Sequence, residues 1–230
     1  MNILKSLAIV SLIFGSITSS ASVLIDGIYY KIFSGGVNAY PHAEVTCKEG
    51  SGSYVKNDYT GDVTIPSEVE YNGKIYVVTI ICPDAFRNSN GLTNVSIPNT
   101  VKEIGEYAFY NCRELNSLTI PYAVESIGSS AFYYCENLSD VTCLAITPPA
   151  ISYSTLYPAY YMATLHVPQK SFETYKATAN WNNFLTVVGD ASNSSGSSNT
   201  TSNSKCDTNG DGEINIADVN TVINAILGGN

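Results

Sequence analysis

Positively charged side chains are scarce in this 230-residue sequence. It contains 11 Lys and Arg against 20 Asp and Glu, which gives a formal net charge of −9, and it has only two His. A chain so poor in cations can make few contacts with phosphate backbones, so nucleic acid is not an expected partner. Charged residues amount to 13% of the chain while Tyr occurs 17 times, a composition typical of an extracellular β-rich protein.

The sequence also lacks a hydrophobic run long enough to span a bilayer. One apolar run, residues 7–14, follows Lys5 and precedes the small residues 19–21. This arrangement predicts a secretory signal peptide over residues 1–21, since the run is too short for a membrane anchor. The mature chain is therefore expected to be secreted or held at the cell surface, with no membrane span.

Catalytic motifs are missing as well. His42 and His166 show no metal-ligand spacing, and the sequence contains neither a G-x-S-x-G motif nor paired carboxylates in a repeated context. We therefore expect no enzymatic activity, and we predict structural roles for both histidines.

What the sequence does contain is a regular internal repeat. Phe86, Phe109 and Phe132 are separated by a constant interval of 23, and each follows an Ala. Three further columns share the interval: Leu92, Leu115 and Leu138; Val95, Leu118 and Val141; Ile97, Ile120 and Cys143. The period lies in the leucine-rich-repeat range, in which short strands stack in parallel around one continuous core. The predicted fold is therefore mainly β with short helical or irregular segments, arranged as a leucine-rich-repeat solenoid.

The unit IGEYAFYNCRELNSLTIP at residues 104–121 resembles the BspA-like (Treponema-type) leucine-rich repeat of bacterial surface proteins. The flanks are also similar to that family: a degenerate repeat interrupted by a hairpin at Asn72-Gly73 precedes the array, and a closing cap containing Trp181 follows it. The resemblance implies a solenoid with its two caps over residues 22–189. Because strand side chains alternate, six polar residues are predicted to face outward as a binding strip: Asn94, Ser96, Ser117, Thr119, Asp140 and Thr142.

Tyrosines cluster in and after the repeats. Their favoured interpretation is that they cover the flanks of the coils, although Tyr is also a common anchor of protein and sugar interfaces. The members of this cluster are Tyr107, Tyr110, Tyr122, Tyr133, Tyr134 and the Tyr-rich stretch 153–161.

The six cysteines fall into two groups. Cys112 and Cys135 share a repeat position, which predicts buried thiols that act as small apolar groups; a disulfide between adjacent rungs is the alternative, and it would strain the stack. Cys82 and Cys143 also fall on core positions, whereas Cys47 and Cys206 are the candidates for exposed thiols.

A twelve-residue acidic loop, DTNGDGEINIAD at residues 207–218, follows a Ser/Asn-rich linker over residues 190–205. Its oxygen-bearing side chains and one backbone carbonyl have the spacing of an EF-hand-like calcium loop, with Gly212 at the sharp turn. The predicted calcium ligands are Asp207, Asn209, Asp211, Glu213 (through its carbonyl), Asn215 and Asp218. An apolar stripe follows on a short helix, from Val219 to Leu227.

With Asp at position 12 and only an exiting helix, residues 206–230 resemble one repeat of a dockerin. The resemblance implies calcium-dependent docking to a cohesin-type partner, within the polysaccharide-degrading systems where dockerins occur. It departs from the family because the sequence holds no second such loop, and because an apolar pair occupies loop positions 10 and 11. The residues that would contact the partner are Ile216, Ala217, Val219, Val222 and Ile223.

The sequence therefore predicts a secreted or cell-surface, non-catalytic binding or adhesion protein. Its repeats would recognise a host or bacterial surface protein or a glycan, and its calcium-bound tail would dock to a cohesin-type partner. Two alternatives stay open at this point: a component of a polysaccharide-degrading complex, active in carbohydrate catabolism, and a surface antigen whose calcium site is purely structural.

Overall fold

The computed structural model describes residues 22–35, 40–48 and 57–190, which form a solenoid built largely of short strands. The predicted signal peptide, most of the linker and the calcium loop lie outside these residues. The strands are β1 (Val23–Ile25), β2 (Ile28–Phe33), β3 (His42–Thr46), β4 (Thr60–Thr64), β5 (Glu68–Tyr71), β6 (Lys74–Ile81), β7 (Gly91–Ser96), β8 (Glu103–Ile104), β9 (Ser117–Ile120), β10 (Ser126–Ile127), β11 (Asp140–Cys143), β12 (Thr164–Val167) and β13 (Thr186–Gly189). No helix in the described part of the chain is long and apolar enough to cross a membrane.

An antiparallel meander of β1, β2 and β3 precedes the repeats. β1 and β2 are joined by a two-residue turn in which Asp26 and Gly27 both have positive φ, the geometry of the tight hairpin turn that suits strand twist. β3 then pairs in parallel with β6, so the meander extends one sheet of the solenoid. These three strands were not predicted from the sequence.

The predicted hairpin at Asn72-Gly73 is confirmed. β5 and β6 pair in antiparallel fashion around these two residues, whose φ angles are 51° and 74°. The hairpin is inserted after β4, which pairs in parallel with the repeat strand β7. β4 is therefore the strand of the degenerate first repeat.

Two parallel ladders run along the solenoid, one at each edge of the coils. The first contains the repeat strands: β4 pairs with β7, and β9, β11, β12 and β13 form a four-stranded parallel sheet. A backbone hydrogen bond of 3.4 Å from Asn116 N to Thr93 O links the two parts. The second ladder consists of β6, β8 and β10, and neighbouring strands in it pair over only two residues each.

A stack of aromatic rings fills the interior between the ladders. Phe86 and Phe109 lie with ring centroids 4.8 Å apart and planes within 3°, and Phe109 and Phe132 follow at 5.0 Å and 4°. All three are fully buried. Tyr59 caps the stack at 4.7 Å from Phe86. The repeating Phe column of the sequence is thus a continuous ladder through the core, as predicted.

The predicted role of the cysteines is also supported, since all five described cysteines are free thiols and four of them are buried. The Sγ of Cys112 donates to the carbonyl of Phe86, and that of Cys135 to the carbonyl of Phe109, both at 3.3 Å. Ser89, one coil earlier, donates its hydroxyl to Asn57 O at 3.1 Å. Each side chain thus satisfies a carbonyl of the preceding coil, a polar role beyond that of a small apolar group. Cys47 is half-buried.

Stability is expected to fall above about pH 9 because of these thiols. Burial raises the pKa of Cys135 to about 12 and that of Cys143 to about 11, from an ordinary value of 9.0. The folded state holds the neutral thiols, so their contribution is complete below pH 9 and is lost as the pH rises through the folded pKa values, because the unfolded chain releases its protons first. The melting temperature should therefore be flat near neutral pH and fall in this alkaline window. Cys135→Ser should reduce that slope, and an unchanged slope would contradict the assignment.

The closing cap is built on buried aromatic side chains that hydrogen-bond to backbone. Trp181 is fully buried and donates its Nε1–H to Pro149 O at 2.8 Å, and Tyr175 donates its hydroxyl to Ala145 O at 2.7 Å. The predicted plug at Trp181 is therefore confirmed. The helical segments of the cap are α1 (Phe172–Ala177) and the 3₁₀ turns Ala159–Tyr161, Gln169–Ser171 and Trp181–Asn183.

Candidate functional site

The outward side chains of the repeat strands form a polar face, which we call the strand face. Leu118 and Val141 point into the core, so the residues on either side of them point outward. In the parallel register, Ser117 lies beside Asp140 and Thr119 beside Thr142. The structure therefore brings four of the six predicted strip residues together directly. Asn94 and Ser96 are exposed at the matching positions of β7.

The strand face is longer than the sequence analysis predicted. At the N-terminal end, Asp62 and Thr64 of β4 lie beside Asn94 and Ser96. At the other end, Thr164 lies beside Asp140 and Thr186 beside Thr164. Neighbouring strands are about 4.8 Å apart, so hydroxyl, amide and carboxylate groups recur at that interval across six strands. Such an array can hydrogen-bond an extended ligand at several points.

His166 is a member of the strand face that the sequence analysis did not place there. It was predicted to be structural, but on β12 it lies beside Thr142, with 28% of its side chain exposed. Its Nδ1 is hydrogen-bonded to a carboxylate oxygen of Asp190 at 2.8 Å, and its Nε2 lies 3.9 Å from Asp140 Oδ1. The imidazole is therefore held between two carboxylates on the strand face. His42, in contrast, stacks on Phe33 at 4.7 Å, as a structural role requires.

The groups around His166 do not have the arrangement of an activated nucleophile. The hydroxyl of Ser139 donates to Asp140 Oδ2 at 2.6 Å and not to the imidazole, whereas nucleophilic catalysis needs the hydroxyl to be within hydrogen-bonding reach of its base. Within the ranges described above, no cluster of three or more His, Cys, Asp or Glu could hold a metal ion. The chemistry available on this face is hydrogen bonding and charge attraction.

The strand face is acidic. The six strands that form it contain Asp62 and Asp140 but no Lys or Arg. Over the longer stretch 114–169 the sequence has four acidic residues and no Lys or Arg. The acidic residues of that stretch are Glu114, Glu125, Glu136 and Asp140.

A second exposed feature lies on the loops that follow the Phe ladder, and we call it the tyrosine band. Its rings contact one another from coil to coil: Tyr110 stacks on Tyr133 at 6.0 Å and 7°, and Tyr133 on Tyr157 at 5.3 Å and 25°. Backbone hydrogen bonds between neighbouring loops support the band, for example from Asn111 N to Tyr133 O at 2.8 Å. The band comprises Tyr107, Tyr110, Tyr133, Tyr134, Tyr153, Tyr157 and Tyr161. Tyr122, which the sequence analysis grouped with them, is 52% exposed but is not one of these rings.

Both the strand face and the tyrosine band are built from the repeat, and the repeat also identifies the family. Six copies of the profile described as the BspA type leucine rich repeat region match residues 56–184, which is more than half of the chain. The protein belongs to the BspA-type leucine-rich repeat family.

Solved structures to which the chain is similar include a leucine-rich cell surface protein from Faecalibacterium prausnitzii A2-165 (25% identity, TM-score 0.45). The match covers 67% of this chain and 44% of that protein, so the chain spans less than half of its length. A leucine-rich repeat protein from Bacteroides capillosus matches at 23% identity and a TM-score of 0.35, over 53% of this chain and 97% of the other. The leucine-rich repeat protein of T. pallidum matches at 16% identity and a TM-score of 0.45, over 70% of this chain and 79% of the other. No curated protein matches the chain.

Each recurring position of this BspA-type repeat has an identifiable role in the structure. The Phe builds the core ladder, the Cys or Ser satisfies a carbonyl of the preceding coil, and the residue after the Phe enters the tyrosine band. The repeat glycines, Gly105 and Gly128, lie where two coils approach most closely: a Cβ on Gly105 would be 2.4 Å from Pro83 N. The predicted calcium ligands and docking residues of the tail lie outside the described residues.

Proposed function

We propose that this protein is a secreted or cell-surface, non-catalytic binding protein whose strand face recognises a protein or a glycan. The observation that carries the proposal is the register of the parallel strands, which aligns polar side chains over six coils on a rigid core. A ligand that meets a preformed row of donors and acceptors loses little free energy to ordering of the protein. The location outside the cell is supported by the signal-peptide pattern of residues 1–21.

The strand-face proposal can be tested by blocking the centre of the face. Thr119 and Thr142 are adjacent there, and Thr119→Lys with Thr142→Lys would place two long charged side chains across it. The full chain and this variant would be compared on arrays of host surface proteins and of bacterial and host glycans. We expect at least a tenfold loss of signal for the true ligand.

Thr174→Lys is the matched control, because Thr174 is an exposed threonine on α1, outside the strand face. This control should bind like the wild type. Equal binding by all three proteins would exclude the strand face as the recognition surface.

We also propose that the C-terminal loop binds calcium and attaches the chain to a cohesin-type partner. The sequence supports this because the loop supplies hard oxygen ligands at calcium-loop spacing, and because several carboxylates in one short loop repel one another until a cation binds. This attachment would place the protein in a polysaccharide-degrading assembly as a binding component.

Calorimetric titration of the full chain with CaCl₂ is expected to show one site. Replacing two loop carboxylates, Asp207→Asn with Asp211→Asn, should abolish it, because both charged ligands of the first turn are lost. Asp62→Asn, which removes a carboxylate from the strand face, is the control and should leave the titration unchanged. Capture of the chain on immobilised cohesin domains should require calcium and fail with a chelator; capture in both conditions would refute the docking proposal.

A further inference from the structure

One cation of the chain, the guanidinium of Arg87, already binds to the tyrosine band. The guanidinium of Arg87 lies 4.8 Å from the ring centroid of Tyr107 and 4.6 Å from that of Tyr110. These two rings meet nearly at right angles, with centroids 5.6 Å apart and planes at 75°. The side chain of Arg87 is only 16% exposed and is also paired with Asp84 at 2.8 Å. We call two rings of the band that meet nearly at right angles a corner. The corner formed by Tyr107 and Tyr110 is thus occupied by Arg87 of the same chain.

Similar corners recur along the band. Tyr133 and Tyr134 meet at 78° with centroids 4.4 Å apart, and Tyr157 and Tyr161 meet at 85° and 6.0 Å. Tyr134 and Tyr161 are 41% and 53% exposed, so one wall of each corner is open to solvent. In the described residues, the cation–ring contacts are those of Arg87 and one between Lys176 and Phe172 in the cap. No cation of the described chain lies over these two later corners.

The rings that form the corners are held in place before any ligand arrives. Tyr133 lies between Tyr110 and Tyr157 in the stack, and the hydroxyls of Tyr153 and Tyr161 are 3.1 Å apart. The hydrogen bond with Tyr161 raises the pKa of Tyr153, so the Tyr153 phenol stays neutral at physiological pH. Rigid aromatic side chains lose little conformational entropy on binding, which favours them as anchors.

We propose that the exposed rings of Tyr134 and Tyr161, held at their corners by Tyr133 and Tyr157, bind arginine side chains of a basic, extended protein segment. Aromatic faces attract cations, and a guanidinium stacks on them better than an ammonium does. The sequence that contains both corners favours the same ligand, because residues 114–169 carry four acidic side chains and no Lys or Arg; Arg113, just before this stretch, is engaged with Asn111 Oδ1 at 2.8 Å. Tyr110 and Tyr157 cover the two faces of Tyr133, so the rings open to a ligand are the single exposed rings of Tyr134 and Tyr161, which match one guanidinium each and not a broad sugar platform. This surface is separate from the strand face and does not rest on its proposed function.

Binding of fluorescein-labelled nona-arginine and nona-lysine to the full chain, followed by fluorescence anisotropy, tests the proposal. Nona-arginine should bind more tightly than nona-lysine at equal salt, and part of its binding should persist at about 0.15 M salt. Tyr134→Leu with Tyr161→Leu should weaken nona-arginine binding roughly four- to twenty-five-fold, since each lost ring contact is worth about two- to fivefold. The conservative pair Tyr134→Phe and Tyr161→Phe, which keeps both rings, should bind within about twofold of the wild type.

Tyr122→Leu is the matched control, because Tyr122 is similarly exposed but lies outside the band. Circular dichroism and melting temperature establish that each variant is folded. The proposal is overturned if the double leucine variant binds like the wild type, if Tyr122→Leu weakens binding as much, or if the two peptides bind equally and only through salt-sensitive charge. Loss of binding to a neutral oligosaccharide in the double leucine variant, without loss of nona-arginine binding, would identify the band as a glycan site instead.

Discussion

Phe109→Ala is expected to lower the free energy of unfolding by about 4 kcal/mol, as truncation of a fully buried aromatic side chain does. Phe109 is fully buried and stacks on both sides, against Phe86 at 4.8 Å and Phe132 at 5.0 Å. Alanine would remove a ring from the middle of the ladder and leave a cavity that the flanking coils cannot close, because backbone hydrogen bonds fix their separation. Guanidinium denaturation followed by circular dichroism measures the change.

Two controls separate the ladder from general truncation. Phe109→Leu keeps most of the volume and should cost about 1–2 kcal/mol. Phe172→Ala removes a ring that is only partly buried in the closing cap, and it should cost less than Phe109→Ala. A loss below about 2 kcal/mol for Phe109→Ala would contradict the ladder as the central element of the core.

Gly128→Ala is expected to cost about 3 kcal/mol, although it adds only one methyl group. A Cβ at this position would lie 2.4 Å from Glu106 N and 2.7 Å from both Glu106 Cα and Gly105 C. All three are backbone atoms of the preceding coil, so the contact can be relieved only by moving the coils apart. Separation would strain the hydrogen bond of 2.7 Å from Gly128 N to Ile104 O.

Gly91→Ala provides the matched comparison. There the added Cβ would meet the side chain of Thr60, with Cγ2 at 2.8 Å, and a threonine at the edge of the array can change its rotamer. The cost should be about 1 kcal/mol or less. Equal losses at the two glycines would show that the close approach of the coils at Gly128 is not what selects glycine there. Thermal or chemical denaturation of both variants decides the question.

The repeat was predictable from the sequence because its strongest signals are large buried side chains at a constant interval. The Phe column, the Leu column and the inward strand residues all follow from that period, and so do the outward positions between them. Asn72-Gly73 and Trp181 were predictable for local reasons, the first as a turn and the second as the only tryptophan of the sequence, within an aromatic segment that follows the repeats.

Two kinds of element were not predicted: strands of only two residues, and residues that lie beyond the point where the repeat interval changes. β8 and β10 span two residues each, too few for a side-chain alternation to appear. The step from Asp140 to its strand partner Thr164 is longer by a single position than the steps between the earlier coils. A search at the constant period therefore misses Thr164 and His166 on the strand face. Tyr157 follows Tyr133 at the same lengthened step, so the sequence predicted the Tyr-rich stretch 153–161 as part of the cluster but not the stacking of Tyr157 on Tyr133.

Nearly all backbone hydrogen bonds between coils in this solenoid connect residues of adjacent coils, and this determines how the molecule would respond to mechanical load. β13 is the last strand of its sheet among the described residues and pairs there with β12 alone. The chain leaves it towards the segment proposed to attach the protein to its partner. A pulling force would therefore reach β13 first and peel it from β12 before any coil further along is loaded. Units that contact only their neighbours yield one after another, so such a tether would lengthen in steps while the earlier coils of the strand face stay folded.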